Sequence, residues 1–168
     1  MGNKIKMYNQ QGKIVSGWEF TETDSQITIT PEHYQLFNKD YIVVSTSNQK
    51  TYLLNRKGQE RVKIKESIDR SKHTMNLVKG ETLYDSKLIT TNKKGEIIYI
   101  KFNGNVDTLT IQNLNKDDKY IRNNNYTLIL KEKKLTFSSK NHQFEYNFET
   151  QPESTPKVNF QNGLPVIS

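Results

Sequence analysis

Cysteine and alanine are both absent from this 168-residue chain. Without cysteine there is no disulfide scaffold, no thiolate nucleophile and no cysteine-ligated zinc or iron–sulfur centre. Without alanine the chain lacks the best helix former. In its place stand 15 Ile, 8 Val, 16 Thr, 9 Tyr and 7 Phe, residues that suit a pleated, half-buried surface, and an all-β fold is expected. Long apolar runs are missing too. Tyr41-Ile42-Val43-Val44 and Ile97-Ile98-Tyr99-Ile100 fall far short of the roughly 18 residues a spanning helix needs, so no membrane span is expected. Nor does an apolar signal-peptide core follow Lys4 and Lys6.

Patterns that carry chemistry are equally scarce. His33, His73 and His142 are widely separated, with no H-x-H or H-E-x-x-H spacing, so no metal and no catalytic histidine is expected. Asp117-Asp118 is the adjacent acidic pair, in a stretch from Asn113 to Lys119 that reads as a solvated loop; adjacency alone does not give two carboxyls the separate environments that acid/base work requires. A calcium loop of the D-x-[DN]-x-[DN]-G type is lacking. Ser16 in Val15-Ser16-Gly17 lacks the leading glycine of a nucleophile elbow. Asn92-Lys93-Lys94-Gly95 and Lys79-Gly80 match no phosphate loop and read as hairpin turns. Asn125-Tyr126-Thr127 fits a glycosylation sequon, a short pattern that carries no weight among 18 asparagines and 16 threonines. No cofactor is expected, and no catalytic activity of this segment by itself.

The formal net charge is +7, which raises nucleic acid or another anionic polymer as a partner. Yet 21 of the 25 basic residues are lysine, whereas arginine's planar fork is the better reader of phosphate. The local excess lies between Lys50 and Lys72. Within it Arg56, Lys57, Arg61, Lys63 and Lys65 are the candidates for contacts to an anionic partner. On a strand, Arg61, Lys63 and Lys65 would share one face while Val62 and Ile64 share the other. A solvated strand face that discourages edge pairing accounts for the same pattern, and this is the favoured reading.

What is present is a repeat. Gly12, Gly58 and Gly104 lie 46 residues apart, each in a polar turn between runs of apolar alternation, and a further turn arrives near Lys140-Asn141. A second turn type recurs in register: Asn38-Lys39-Asp40, Asn123-Asn124-Asn125 and Asn162-Gly163 each precede an apolar strand. Asn and Gly tolerate the positive φ that tight hairpins require. Strands are predicted near 33–37, 41–46, 51–55 and 60–66; near 74–78, 87–91, 96–102 and 106–112; and near 119–122, 126–131, 134–138 and 143–148. Two more precede them, near 4–8 and 13–20, and one or two follow from about 157. Tyr41, Val43, Tyr52, Leu54, Val62 and Ile64 are predicted to be buried.

A four-stranded antiparallel unit of about 40–50 residues in series is the sequence signature of a propeller blade. The chain resembles the β-propeller superfamily in its broad WD40-type and quinoprotein-type group, over nearly its whole length. Gly-His and Trp-Asp pairs and a kelch-type double glycine are absent, and Trp18, next to Gly17, is the one tryptophan, so the resemblance carries no functional residue across. It implies a partial blade at 1–30, blades at about 31–70, 71–114 and 115–150, and a partial blade at 151–168. The expected form is an open arc of about three blades, drawn from a longer protein; the alternative is a four-bladed ring whose two ends share a blade. The implied function is a non-catalytic interaction or scaffold module that binds a protein through blade-end loops, or packs against further blades or a flanking domain of the same protein. The alternatives are a basic module for nucleic acid and the non-catalytic part of a larger secreted or envelope enzyme.

Overall fold

A computed structural model describes residues 2–111, 114–154 and 156–168. Every regular element among them is a strand. Three four-stranded antiparallel meanders follow one another, each a propeller-like blade. Blade 1 comprises β1 (Glu32–Leu36), β2 (Lys39–Ser45), β3 (Thr51–Leu54) and β4 (Glu60–Val62). Blade 2 comprises β5 (Asn76–Val78), β6 (Lys87–Thr91), β7 (Ile97–Lys101) and β8 (Val106–Leu109). Blade 3 comprises β9 (Lys119–Arg122), β10 (Tyr126–Lys131), β11 (Lys134–Ser139) and β12 (Gln143–Asn147), and a hairpin of β13 (Val158–Gln161) and β14 (Leu164–Ile167) closes the chain.

The period-2 alternation places each strand's side chains on two faces, and in the central strands β2, β3 and β6 both faces are buried. Along β2, Ile42 and Val44 enter the core shared with the N-terminal segment, where Ile5, Met7, Trp18 and Phe20 pack. Tyr41 and Val43 enter the core shared with blade 2. Blade 2 repeats the arrangement: Leu88, Ile98 and Ile100 face blade 1, while Ile89 and Ile97 face Tyr120 and Ile129 of blade 3. On the far side of blade 3, Leu128, Leu130, Leu135 and Phe137 pack against Val158 and Ile167 of the final hairpin. The order along the stack is therefore N-terminal segment, blade 1, blade 2, blade 3 and hairpin. Tyr41 and Phe102 meet edge to face across the first of the two inter-blade cores, their ring centroids 4.6 Å apart. Of the six positions predicted as buried, five are fully so and Val62 is half-buried.

The predicted strands at 4–8 and 13–20 do not form. The segment makes isolated bridges, Lys4↔Glu22 and Tyr8↔Ile14; Ile5 N donates to Thr21 O at 2.9 Å and Val15 N to Met7 O at 2.8 Å, and Glu19 N reaches Lys57 O of the β3–β4 turn at 2.8 Å. Gly17, at φ 81°, turns the chain inside the second predicted strand and ends its alternation. β4 is also shorter than predicted, because the register shifts between Leu53 and Leu54 and the ladder stops at Val62.

The 46-residue glycine spacing has a packing cause. Gly58 lies in the β3–β4 turn and Gly104 in the β7–β8 turn, both in the left-handed region (φ 79° and 92°). A Cβ at Gly58 would strike the backbone of Phe20, and one at Gly104 would strike the carbonyl of Lys63. Each turn thus presses on the end of the unit before it. Gly12, the first of the series, is also left-handed (φ 72°) but has open space around it. A side chain at Gly12 meets only the left-handed penalty, on the order of 1 kcal/mol. Gly104→Ala is therefore expected to lower unfolding free energy by about 2 kcal/mol or more beyond Gly12→Ala, because strain and a backbone clash combine. Urea denaturation of the two variants checks this, and equal losses would contradict it.

Candidate functional site

The basic cluster occupies the outer edge of blade 1. Asn55 begins the β3–β4 turn, its Oδ1 accepting the amides of Lys57 (2.8 Å) and Gln59 (3.1 Å). Arg56 and Lys57 therefore project from the tip, while β4 and the chain after it carry Arg61, Lys63 and Lys65 on the exposed face, with Ile64 buried behind them. The predicted alternation is present. Asp40, its side chain 7% exposed, gathers both arginines: Arg56 Nε lies 2.5 Å from Oδ2, and Arg61 Nε donates to the Asp40 carbonyl at 3.1 Å while its guanidinium sits 5.4 Å from the Tyr41 ring centroid. His33 Nε2 lies 2.7 Å from Asp40 Oδ1, and this bond, followed by the nearby Arg56 charge, holds the Asp40 carboxyl below the usual carboxylate range. The two guanidiniums thus serve the fold of blade 1. Lys57, Lys63 and Lys65 have side chains without a partner among the described residues.

A second region is assembled at the rim where inter-blade connectors meet the β2–β3, β6–β7 and β10–β11 turns. The connector entering each of the first two blades crosses the end of that blade's second strand. Thr28 N donates to Ser45 O (3.0 Å) and Ser47 N to Gln26 O (2.8 Å) in blade 1; Ser71 N donates to Thr91 O (2.8 Å) and Lys93 N to Asp69 O (2.9 Å) in blade 2. Arg70 anchors the second crossing from within. Its side chain is 2% exposed and pairs with Glu32 of β1, donating also to His73 O (2.9 Å) and Ser45 Oγ (3.3 Å). Glu32 Oε1 accepts the Met75 amide at 2.7 Å and lies 3.0 Å from the Tyr34 hydroxyl. Burial, and then the Glu32 charge, push the Tyr34 phenol well above its ordinary value. Arg70 and Glu32 are 38 positions apart, and no local pattern marks them as a pair.

Three cavities open along this rim, of about 370, 400 and 840 Å³. Lys72 lines all three, and Arg70 and Lys93 line both the first and the largest. The largest extends over the connectors on both sides of blade 3, from His73 past Asp117 and Lys119 to Glu132 and Glu153. Its walls carry both signs of charge and many hydroxyl and amide groups. Burial lowers the pKa of His73, helped by the Lys119 charge, so the ring is neutral near pH 7; its Nε2 has no partner among the described residues.

The expected loop at Asn113–Lys119 is only partly solvated; Asn113 itself lies outside the described residues. Asp118 is 2% exposed, and its carboxylate accepts the Asn115 amide at 2.8 Å, which fixes the entry to β9. Asp117 points to solvent. His142 lies in the β11–β12 turn, bonded through its backbone to Ser139. Among the described residues no three His, Asp or Glu side chains are grouped as metal ligands.

The chain matches no protein-family model, no curated protein and no solved structure.

Removing one partner of the buried ion pair strands the other charge, so Arg70→Ala is expected to cost about 3–5 kcal/mol. Replacing both, as in Glu32→Leu with Arg70→Met, should recover most of that loss. Chemical denaturation of the single and double variants checks this, and a double variant worse than both singles would contradict it.

Proposed function

We propose that this chain is a non-catalytic, propeller-type interaction module whose partner is a protein, held along the blade-end rim that carries the Lys72 cavities. The observation behind this reading is the continuity of the groove: three cavities share Lys72 and cross successive inter-blade connectors. Loops on a rigid sheet scaffold are where binding function is usually carried. The mixed-sign lining suits an extended polypeptide, which offers backbone amides together with charges of both signs. A phosphate backbone would instead call for a surface of one sign.

The nucleic-acid alternative draws on Lys57, Lys63 and Lys65, whose side chains have no partner among the described residues on the edge of blade 1. With Arg56 paired to the Asp40 carboxylate and Arg61 Nε bonded to the Asp40 carbonyl, that surface offers mainly the point charges of three lysines.

Selection from a displayed random-peptide library, followed by affinity measurement, tests the reading. Peptides of mixed charge should emerge, and Lys72→Glu with Lys93→Glu should weaken them by about tenfold or more, as truncating a central contact does. Single-stranded DNA should bind only weakly at about 150 mM salt, with a steep salt dependence. Sub-micromolar DNA binding lost on changing Lys57, Lys63 and Lys65 to Glu would overturn the proposal, as would selected peptides indifferent to Lys72 and Lys93.

A further inference from the structure

The N-terminal segment and the final hairpin are complementary halves of a blade. In blades 1 and 2, the turn between third and fourth strands carries Gly58 or Gly104, and the N-terminal segment has the same turn at Gly12. Its Asn9 accepts the amides of Gln11 (3.0 Å) and Lys13 (2.9 Å), as Asn55 does those of Lys57 and Gln59. Residues 4–8 therefore stand where a third strand stands. The final hairpin turns at Asn162-Gly163 (φ 50° and 79°), as β1 and β2 turn at Phe37-Asn38 (φ 47° and 60°), so β13 and β14 stand where first and second strands stand.

Counting from these turns, Tyr8 occupies the place of Leu54 in blade 1 and Ile100 in blade 2. Those two are fully buried against the preceding unit, whereas Tyr8 is 56% exposed. Gly12 likewise faces open space where Gly58 and Gly104 touch a neighbour. Ile14, bridged to Tyr8, is exposed beside it. The backbone has the same vacancy: Asn3 O, Ile5 N, Met7 O and Asn9 N bond to residues 13–23, while Lys4, Lys6 and Tyr8 have no backbone hydrogen-bond partner among the described residues.

The matching surface lies at the other end of the stack. Leu135, Phe144, Tyr146, Phe148, Pro165 and Ile167 line an apolar cleft of about 390 Å³ between blade 3 and the free edge of β14. The cleft continues the core that seats the hairpin on blade 3, since Ile167 belongs to both. Ile167 holds the position of Ile42, which pairs with Leu54 in blade 1, so the strand that completes the hairpin brings a residue in Tyr8's position beside Ile167 and over the cleft. Pro165 stands where Asp40 stands, outside the stretch that β2 pairs with β3, so its missing N–H costs that ladder nothing. Among the described residues no hydrogen bond joins the two halves within the chain.

We infer that the cleft receives the N-terminal segment of a second copy of this chain, so that hairpin and segment complete one blade in trans. When two copies exchange in both directions the contact closes with twofold symmetry. Three whole blades and one composite blade from each copy then give eight, within the range that propellers use. Each junction covers Tyr8, Ile14, Tyr146 and parts of Phe144 and Phe148, on the order of 400–600 Å² of apolar surface per junction at typical aromatic areas. Two junctions reach the size of a modest specific interface. Because the new ladder is short, face burial carries the association.

Sedimentation velocity of the full chain from about 5 to 500 µM tests this, with association in the micromolar range expected for an interface of this size. The weight-average mass should rise to that of a dimer. Tyr8→Glu and Tyr146→Glu, both at exposed positions, should each weaken association by about tenfold or more. An equimolar mixture of the two variants should regain part of it, since one junction in the mixed pair has both wild-type surfaces. Gly12→Asn keeps a residue tolerant of positive φ and adds bulk only where the second copy presses; it should weaken association without lowering the unfolding midpoint, which separates interface loss from misfolding. Three results would overturn the inference: a monomer at every concentration, a monomer whose Lys6 and Tyr8 amides resist exchange as a ring closed within one chain requires, or a dimer that all three variants leave unchanged.

Discussion

Burial on both faces of a four-stranded sheet is the constraint from which the rest of the structure follows. In β2, β6 and β10 the two alternating residue sets enter two different cores. A single blade would leave one such set in water, at a cost of roughly 1.5–3 kcal/mol for each large aliphatic side chain. Stability is therefore a property of neighbouring pairs, as in other repeat architectures. The turns obey the same rule, since glycine is required where a turn presses on the preceding unit. At Gly12, where nothing presses, the sequence keeps the turn and the surroundings are open.

The connectors convert this stack into a surface. Because each connector into blades 1 and 2 hydrogen-bonds to the end of a second strand, successive connectors lie side by side along one rim. Arg70 and Glu32 fix the second of these connectors from inside, so the groove above them rests on a buried ion pair. The outer edge of blade 1 is arranged otherwise. There Asp40 pairs with two arginines that stay at the surface beside three lysines, which keeps an exposed strand edge charged.

Much of the strand pattern was legible in the sequence, because alternation and hairpin chemistry are local. Ile64 could be placed from its polar neighbours Lys63 and Lys65, and Tyr41, Val43 and Leu54 from apolar runs that suit central strands covered on both faces. The segment at 4–20 shows where alternation misleads: Ile5, Met7, Trp18 and Phe20 do face a core, but a segment turned at Gly17 forms bridges and no ladder. The rim was not legible. Arg70 and Glu32, or Lys72 and Glu153, are brought together by stacking, and stacking geometry leaves no mark at fixed spacing. One local signal was there to find: Asn9, Asn55 and Asn92 each stand three residues before a left-handed glycine and accept two backbone amides. That pattern identifies these turns more sharply than the glycines do by themselves.

The central claim, that consecutive blades pack face to face through shared apolar cores, is tested most directly by a double-mutant cycle on Tyr41 and Phe102, 61 positions apart in sequence and 4.6 Å apart between ring centroids. Tyr41→Leu, Phe102→Leu and the double variant, each measured by equilibrium denaturation, should reveal a favourable coupling of about 0.5–1.5 kcal/mol, the value of an edge-to-face aromatic pair beyond simple burial. Strict additivity of the two losses would contradict the stacking of blade 1 on blade 2.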